Sequence, residues 1–386
     1  MRFIALLVLL FGLPPAALAG QPITVRVATF NTSLYSDQDG GLLARLQADD
    51  LAARKIAAVI QKQRPNILLL NEFDYDYEGK AADLFQKKYL ETAQFQQKPI
   101  QYRYRYFAPV NTGLPSGFDL DNDGVVGGGN DAFGFGRHPG QYGMRVLSQY
   151  PIEKMRVRTF QKFLWKDMPD ALIPVNPDGS PWYSVMAWNS FRLSSKSHWD
   201  IPINTPMGRL HLLASHPTPP VFDGVEDRNG RRNHDEIRFW REYIRDSGNE
   251  WIVDDDGAYG GLEAGQRFII AGDLNADPAD GDGIPGTITE LLENPGVLRM
   301  PTPRSDGAEQ AALTDAGANL QQRGAHQHDT GSFGPRVGNM RLDYVLPSTG
   351  LTVIGSGVFW PKAGEPGADW PAASDPRVAW VDLQAL

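Results

Sequence analysis

The chain has no cysteine, no basic excess, no internal repeat, and only one sustained apolar run. Without cysteine there are no disulfides and no lipid-anchored cysteine, so stability rests on packing and on any bound metal. The net charge of −9 over 386 residues offers no general attraction to phosphate backbones, which disfavours tight sequence-independent binding of nucleic acid. The apolar run, Phe3 to Leu13, is too short to span a bilayer. Arg2 precedes it, and Ala17-Leu18-Ala19 supplies a cleavage site before Gly20. Residues 1–19 therefore read as a signal peptide of a bacterial protein that is secreted or periplasmic. Residues 20–386 show no domain linker and are expected to form one domain and a monomer. The 40 glycines and 29 prolines indicate many turns and long loops, while 41% hydrophobic content excludes disorder.

What is present is a series of apolar strands that end in polar residues. Ile23 to Phe30 alternates and is rich in β-branched residues, and it runs into Asn31. Leu42, Leu46, Ile56, Val59 and Ile60 follow at helical spacing, closed by Arg64-Pro65. Ile67 to Leu70 reads as a buried strand delivering Asn71 and Glu72. Tyr142 to Ser148 is another strand, and Leu210 to Ser215 ends at His216-Pro217. Phe268 to Ala271 stops at Gly272, and Asp273 and Asn275 then point the same way from an extended chain. Carboxylates and amides are hard oxygen ligands and proton acceptors, suited to magnesium or to an attacking water, although D-L-N-A-D-P is also good turn chemistry. Met340 to Leu346 carries one acid, Asp343, in an otherwise apolar strand, and charged residues are rarely buried unless paired or functional. The last strand spans Arg377 to Leu383.

Other segments admit two readings each. In Phe191 to Asp200, an extended chain would put Lys196, His198 and Asp200 on one face, as a phosphate-binding edge or as a surface edge. A helix is expected over Asn233 to Ile244, with Asn233 as cap and Glu236 closing a capping box. Arg228, Arg231 and Arg232 just before it would clamp a phosphate or be solvated loop charges. Asp119, Asp121 and Asp123 alternate before Gly124 like the first half of a calcium loop, but Asn130 stands where glutamate is expected and the flanks are glycine-rich. Ca²⁺ in the 119–131 loop and a solvated acidic turn both fit. Trp165, Trp182, Trp188 and Trp199 are expected to be core or loop-packing aromatics.

T-F-N at 29–31, L-L-N-E at 69–72, Y-G-M-R-V-L-S-Q-Y-P-I at 142–152, S-H-P at 215–217, G-D-L-N at 272–275, R-L-D-Y-V at 341–345 and S-D at 374–375 occur in one order. Together they resemble the endonuclease/exonuclease/phosphatase superfamily, over nearly the whole chain after the leader. The resemblance implies an α+β fold, a four-layer α-β-β-α sandwich like that of deoxyribonuclease I. It implies Asn31 and Glu72 as ligands of Mg²⁺ or Mn²⁺ with Asp375 nearby, and Asp273 to orient or deprotonate water. Asn275 would contact the scissile phosphate, and His216 would bind it or help the leaving oxygen. The family normally ends S-D-H, the histidine being held by the aspartate that Asp343 matches. Here Pro376 takes its place and has neither a side-chain donor nor an amide hydrogen. His198, His326 and His328 are the candidates to replace it.

The implied function is a secreted metal-dependent phosphoesterase acting on a phosphodiester or phosphomonoester, impaired to the extent that Pro376 matters. A small phosphorylated molecule or a phospholipid headgroup suits the acidic balance. An extracellular endonuclease acting on nucleic acid is the alternative, and a catalytically inactive metal-binding relative is the alternative of another class.

Overall fold

The computed structural model describes residues 23–384, so the expected signal peptide at residues 1–19 lies outside the described residues. In chain order the strands are β1 (Thr24–Leu34), β2 (Ile67–Phe73), β3 (Tyr104–Tyr106), β4 (Met144–Ser148), β5 (Arg158–Thr159), β6 (His198–Thr205) and β7 (Gly208–Ser215). They continue as β8 (Phe268–Asp273), β9 (Gly331–Ser332), β10 (Asn339–Met340), β11 (Asp343–Pro347), β12 (Val353–Val358) and β13 (Ala379–Gln384). One sheet has six strands in the order β12-β13-β1-β2-β4-β3, and a second has five in the order β11-β8-β7-β6-β5. Each sheet has a parallel pair at its centre, β1 with β2 and β7 with β8, flanked by antiparallel neighbours. The first and last strands pair directly, with Thr24 opposite Gln384.

Alternation along the strands explains the layers. Val25 and Val27 of β1, Ile67 and Leu69 of β2, Leu210 and Leu212 of β7, Ile269 and Ala271 of β8 and Val345 of β11 meet in one cluster between the sheets. The intervening residues Ala28, Phe30, Leu68 and Leu70 face outward onto Ile56, Val59 and Ile60 of the helix Leu51–Gln63. On the other side Leu213, Ile270, Tyr344 and Leu346 pack on Ile237, Phe239, Trp240 and Tyr243 of the helix Arg228–Tyr243. The result is the expected α-β-β-α sandwich, because strands with two buried faces need cover on both sides. Among the described residues, no helix is long and apolar enough to cross a membrane.

Several boundaries differ from expectation. The segment after β1 is two helices, Gly41–Gln47 and Leu51–Gln63, separated where Asp50 caps the second by accepting from the Ala53 amide at 2.8 Å. The Met340 to Leu346 run divides into β10 and β11, with Leu342 and Asp343 donating backbone N–H groups to Thr330 Oγ1. The helix expected from Asn233 begins at Arg228, so Asn233 and Glu236 are interior residues rather than caps, and both are buried.

Candidate active site at the strand ends

The alternation that fills the gap between the sheets continues to the strand ends, where polar residues take over. Asn31 continues Val25 and Val27, Asn71 continues Ile67 and Leu69, His216 continues Leu210 and Leu212, and Asp273 continues Ile269 and Ala271. Asp343 stands opposite Asp273 in the β11–β8 register, and Asn31 stands opposite Asn71 in the β1–β2 register. Both sheets therefore deliver their polar ends to one place. Asn31 ties them together, its Nδ2 donating to Glu72 Oε1 at 2.9 Å and to Asp273 Oδ2 at 3.0 Å. His216 Nε2 is 3.8 Å from the same Asp273 oxygen. The Asn275 amide donates to Asp273 Oδ1 at 3.0 Å.

The electrostatics are those of crowded acids. Burial pushes Glu72 up to about 7, reinforced by the charges of Asp273 and Asp375 and opposed by the Asn31 hydrogen bond. Burial also raises Asp273, and it raises Asp343 well above the carboxylate range with the Asp273 charge adding to the effect. Lys196 is buried beside them, its ammonium pulled down by desolvation and supported by the charges of Glu236, Glu72 and Asp273. Desolvation, with Lys196 adding to it, holds His216 well below its ordinary value, so its imidazole is neutral at physiological pH. Neither oxygen of buried Asp343 has a hydrogen-bond partner among the described residues, nor does either polar atom of Asn71. Hard oxygen donors raised chiefly by burial, with orphaned acceptors beside them, fit a divalent cation such as Mg²⁺ or Mn²⁺.

The backbone here is constrained. Ser33, Glu72, Tyr142 and Asn275 all hold a left-handed φ, between +49° and +57°. Such conformations cost non-glycine residues energy and persist where the surrounding structure over-determines them. Tyr142 stacks near Tyr35 at 4.5 Å between centroids and near Phe135 at 6.4 Å. The hydroxyls of Tyr35 and Tyr142 are raised first by burial and also by the Glu72 charge, which places an aromatic wall beside that carboxylate.

Not every residue singled out in the sequence comes to this site. Lys196 precedes β6 instead of lying in it, so Lys196, His198 and Asp200 do not form one face. His198 and Asp200 point to the outer helix. His198 Nε2 donates to the Glu236 carbonyl at 2.8 Å, and the neutral ring, lowered by burial to about 4, accepts from Ser194 Oγ at 2.6 Å through Nδ1. Asp200 bonds His211 at 2.6 Å and the Tyr243 hydroxyl at 2.7 Å. The guanidinium of Arg232 is engaged by the carbonyls of Leu193, Phe133 and Arg192, and that of Arg231 by the carbonyls of Glu226 and Ile173. These backbone carbonyls engage both guanidinium groups within the fold. His326 pairs with Asp329 and His328 with the Pro303 carbonyl, so neither replaces the missing histidine.

The charge that opposes the rise of Asp343 comes from Arg377, which stacks over Trp360 at 4.4 Å and donates to the carbonyls of Pro371, Ser374 and Asp375. Asp375 is exposed but close enough to raise Glu72. Asn275 donates its side-chain amide to the Pro217 carbonyl at 3.0 Å. Asp119, Asp121 and Asp123 form their own cluster, each offering an oxygen within 4.8 Å of the others. Trp165 and Trp199 are fully buried, and Trp182 and Trp188 pack against the core. Asn71, Tyr35, Tyr142 and Glu236 are the residues the sequence did not single out for the site. Only Asn71 left a signal there, a polar residue ending a four-residue apolar run.

The sequence profile of the Endonuclease/Exonuclease/phosphatase family matches residues 28–375. Among solved structures, the endonuclease/exonuclease/phosphatase from Beutenbergia cavernae aligns with a TM-score of 0.50 and 17% identity, covering 94% of this chain and 72% of that one. Sphingomyelinase C from Streptomyces griseocarneus aligns with a TM-score of 0.46 and 17% identity, over 94% of this chain and 100% of that one. An endonuclease/exonuclease/phosphatase family protein from Leptotrichia buccalis gives 0.47 and 13%, over 92% and 98%. At 17% identity, the likeness to the Beutenbergia cavernae structure shows the shared fold alone. No curated protein matches the chain significantly.

Proposed function

The chain belongs to the endonuclease/exonuclease/phosphatase family, and we propose that it is a metal-dependent phosphoesterase in which water attacks a phosphodiester or phosphomonoester. The observation that carries this reading is the Asn31 amide, which reaches the Glu72 carboxylate of one sheet and the Asp273 carboxylate of the other. Asn31, Glu72 and Asp375 would hold Mg²⁺ or Mn²⁺. Bound there, the cation would supply positive charge for the phosphoryl oxygens. Asp273 is fixed by the Asn31 side chain and the Asn275 amide, so its carboxylate is oriented to accept a proton from the attacking water. Neutral His216 offers a ring N–H to the phosphate or to the leaving oxygen. Lys196 adds a buried positive charge, and the second N–H of Asn275 is available for a phosphoryl oxygen.

In this reading residues 20–386 act as one monomeric unit in the periplasm or outside the cell, following the expected leader. The substrate is a small phosphorylated molecule or a phospholipid headgroup, because the net charge of −9 works against a polyanion. Nucleic acid is the alternative substrate. Ca²⁺ would sit at Asp119, Asp121 and Asp123. A second reading, a decayed enzyme that retains the metal site, is favoured by one observation: Asp343 has no partner where the family places a histidine.

The deciding experiment assays purified protein with Mg²⁺, Mn²⁺ and Ca²⁺ against bis-nitrophenyl phosphate, nitrophenyl phosphate and plasmid DNA. Metal-dependent turnover is expected on at least one substrate and disappears in Asp273→Ala. Turnover that survives that substitution sinks the mechanism, and no turnover on any substrate selects the decayed enzyme.

A further inference from the structure

Glu236 is almost fully buried in the third turn of the helix Arg228–Tyr243 and plays no part in the chemistry above. Its two carboxylate oxygens go to two different loops. Oε1 accepts the Ser195 amide at 2.6 Å, next to Lys196, and Oε2 accepts the Thr218 amide at 2.6 Å, two residues from His216. Its backbone carbonyl takes the His198 ring N–H at 2.8 Å. Ser195 Oγ also donates to the His216 carbonyl at 3.3 Å, which closes the connection between the two loops.

The same helix face continues the pattern at intervals of three and four residues. Asn233 Nδ2 donates to the carbonyls of Thr218 at 2.8 Å and Leu274 at 3.0 Å, and Trp240 Nε1 donates to Ser215 Oγ at 2.8 Å. One stripe of an outer helix thus reaches the loops that carry Lys196, His216 and Asp273. A carboxylate with two short amide donors is a strong, directional brace, and the Glu236 charge is the largest of those that support the buried Lys196 ammonium.

We infer that Glu236 is a positioning residue, which clamps the Lys196 loop to the His216 loop and so sets where those two side chains meet the phosphoryl group. The inference rests on the phosphoesterase reading for its catalytic consequence but not for the brace itself. Glutamine in its place keeps one acceptor and turns an N–H₂ toward the other amide, which breaks one loop from the clamp while preserving volume.

The test measures Glu236→Gln in two ways. Amide hydrogen exchange reads the brace without any substrate: exchange at Ser195 or Thr218 should speed up at least about tenfold while Leu212 in β7 is unchanged. Kinetics with bis-nitrophenyl phosphate reads the consequence: kcat should fall by about 10²-fold with KM within about twofold, because misplacement acts on the reacting geometry. Uniformly faster exchange, or unchanged exchange at both amides, overturns the brace. Selective loosening with full kcat overturns the positioning role. If the native protein turns over nothing, the phosphoesterase reading fails while the exchange arm still decides the brace. Should Glu236→Gln fail to fold, Glu236→Asp is measured identically, and failure of both to fold shows a general strut of the fold and overturns the proposal.

Discussion

The two walls of the site are built to different standards. On one wall, Asp273 and His216 stand on adjacent parallel strands, with Asn31, Asn275, Asn233 and Glu236 fixing the loops around them. On the other, Asp343 projects from β11 with neither oxygen hydrogen-bonded among the described residues, and Pro376 follows Asp375. A buried acid without a partner is costly, and here its neutral form is favoured. The difference teaches that one wall of a site can be fully braced while the facing acid stands without a hydrogen bond.

The largest effect should come from breaking the intact wall. Asp273→Ala is expected to lower kcat by about 10³-fold on any substrate the protein hydrolyses, the scale of a lost general base. Steady-state assays with saturating Mg²⁺ check it, and a loss under tenfold would mean that Asp273 does not handle the proton. Repairing the bare wall should work in the opposite direction. Pro376→His is expected to raise kcat by about 10²-fold, because one positioned donor in such a site is worth that much. An unchanged rate would show that Asp343 is not waiting for a histidine.

The third effect is on stability and has a definite sign. Glu72 is raised from 4.5 to about 7 in the folded chain, so the stability it contributes is present below pH 4.5 and lost as pH rises through about 7. In EDTA, Glu72→Gln should match the native melting temperature near pH 4.5 and exceed it by on the order of 2 °C at pH 8. Parallel curves across that range would remove the crowded-acid description. The smallest effect is at Asp119, Asp121 and Asp123. Millimolar Ca²⁺ should raise the melting temperature by about 1 °C and EDTA should reverse it, since a ligand of the native state stabilises it. No change sinks the calcium proposal.

Much of the layered fold was legible because strands such as Ile67–Leu70 and Phe268–Ala271 are apolar on both faces and end abruptly in polar residues. The ends of such apolar runs also marked Asn31, His216 and Asp273 as candidates. What stayed hidden depends on where a helix begins and where a strand begins. Asn233 and Glu236 have the spacing of a capping box, but the helix begins after Asp227, about one and a half turns earlier, which turns both residues inward. His198 shares parity with Lys196 only if the strand already runs there, and β6 starts at His198 itself. The left-handed backbone at Glu72 and Tyr142 has no sequence signature, since neither residue favours it.

The pairing of β1 with β13 has a consequence for timing during synthesis. Thr24 needs Gln384 beside it, and Ser374 Oγ donates to the Asn31 carbonyl at 2.7 Å, so the N-terminal ligand and the C-terminal turn are joined only when the last segment exists. A nascent or truncated chain that lacks β13 leaves the strand that carries Asn31 paired on one edge only, against β2.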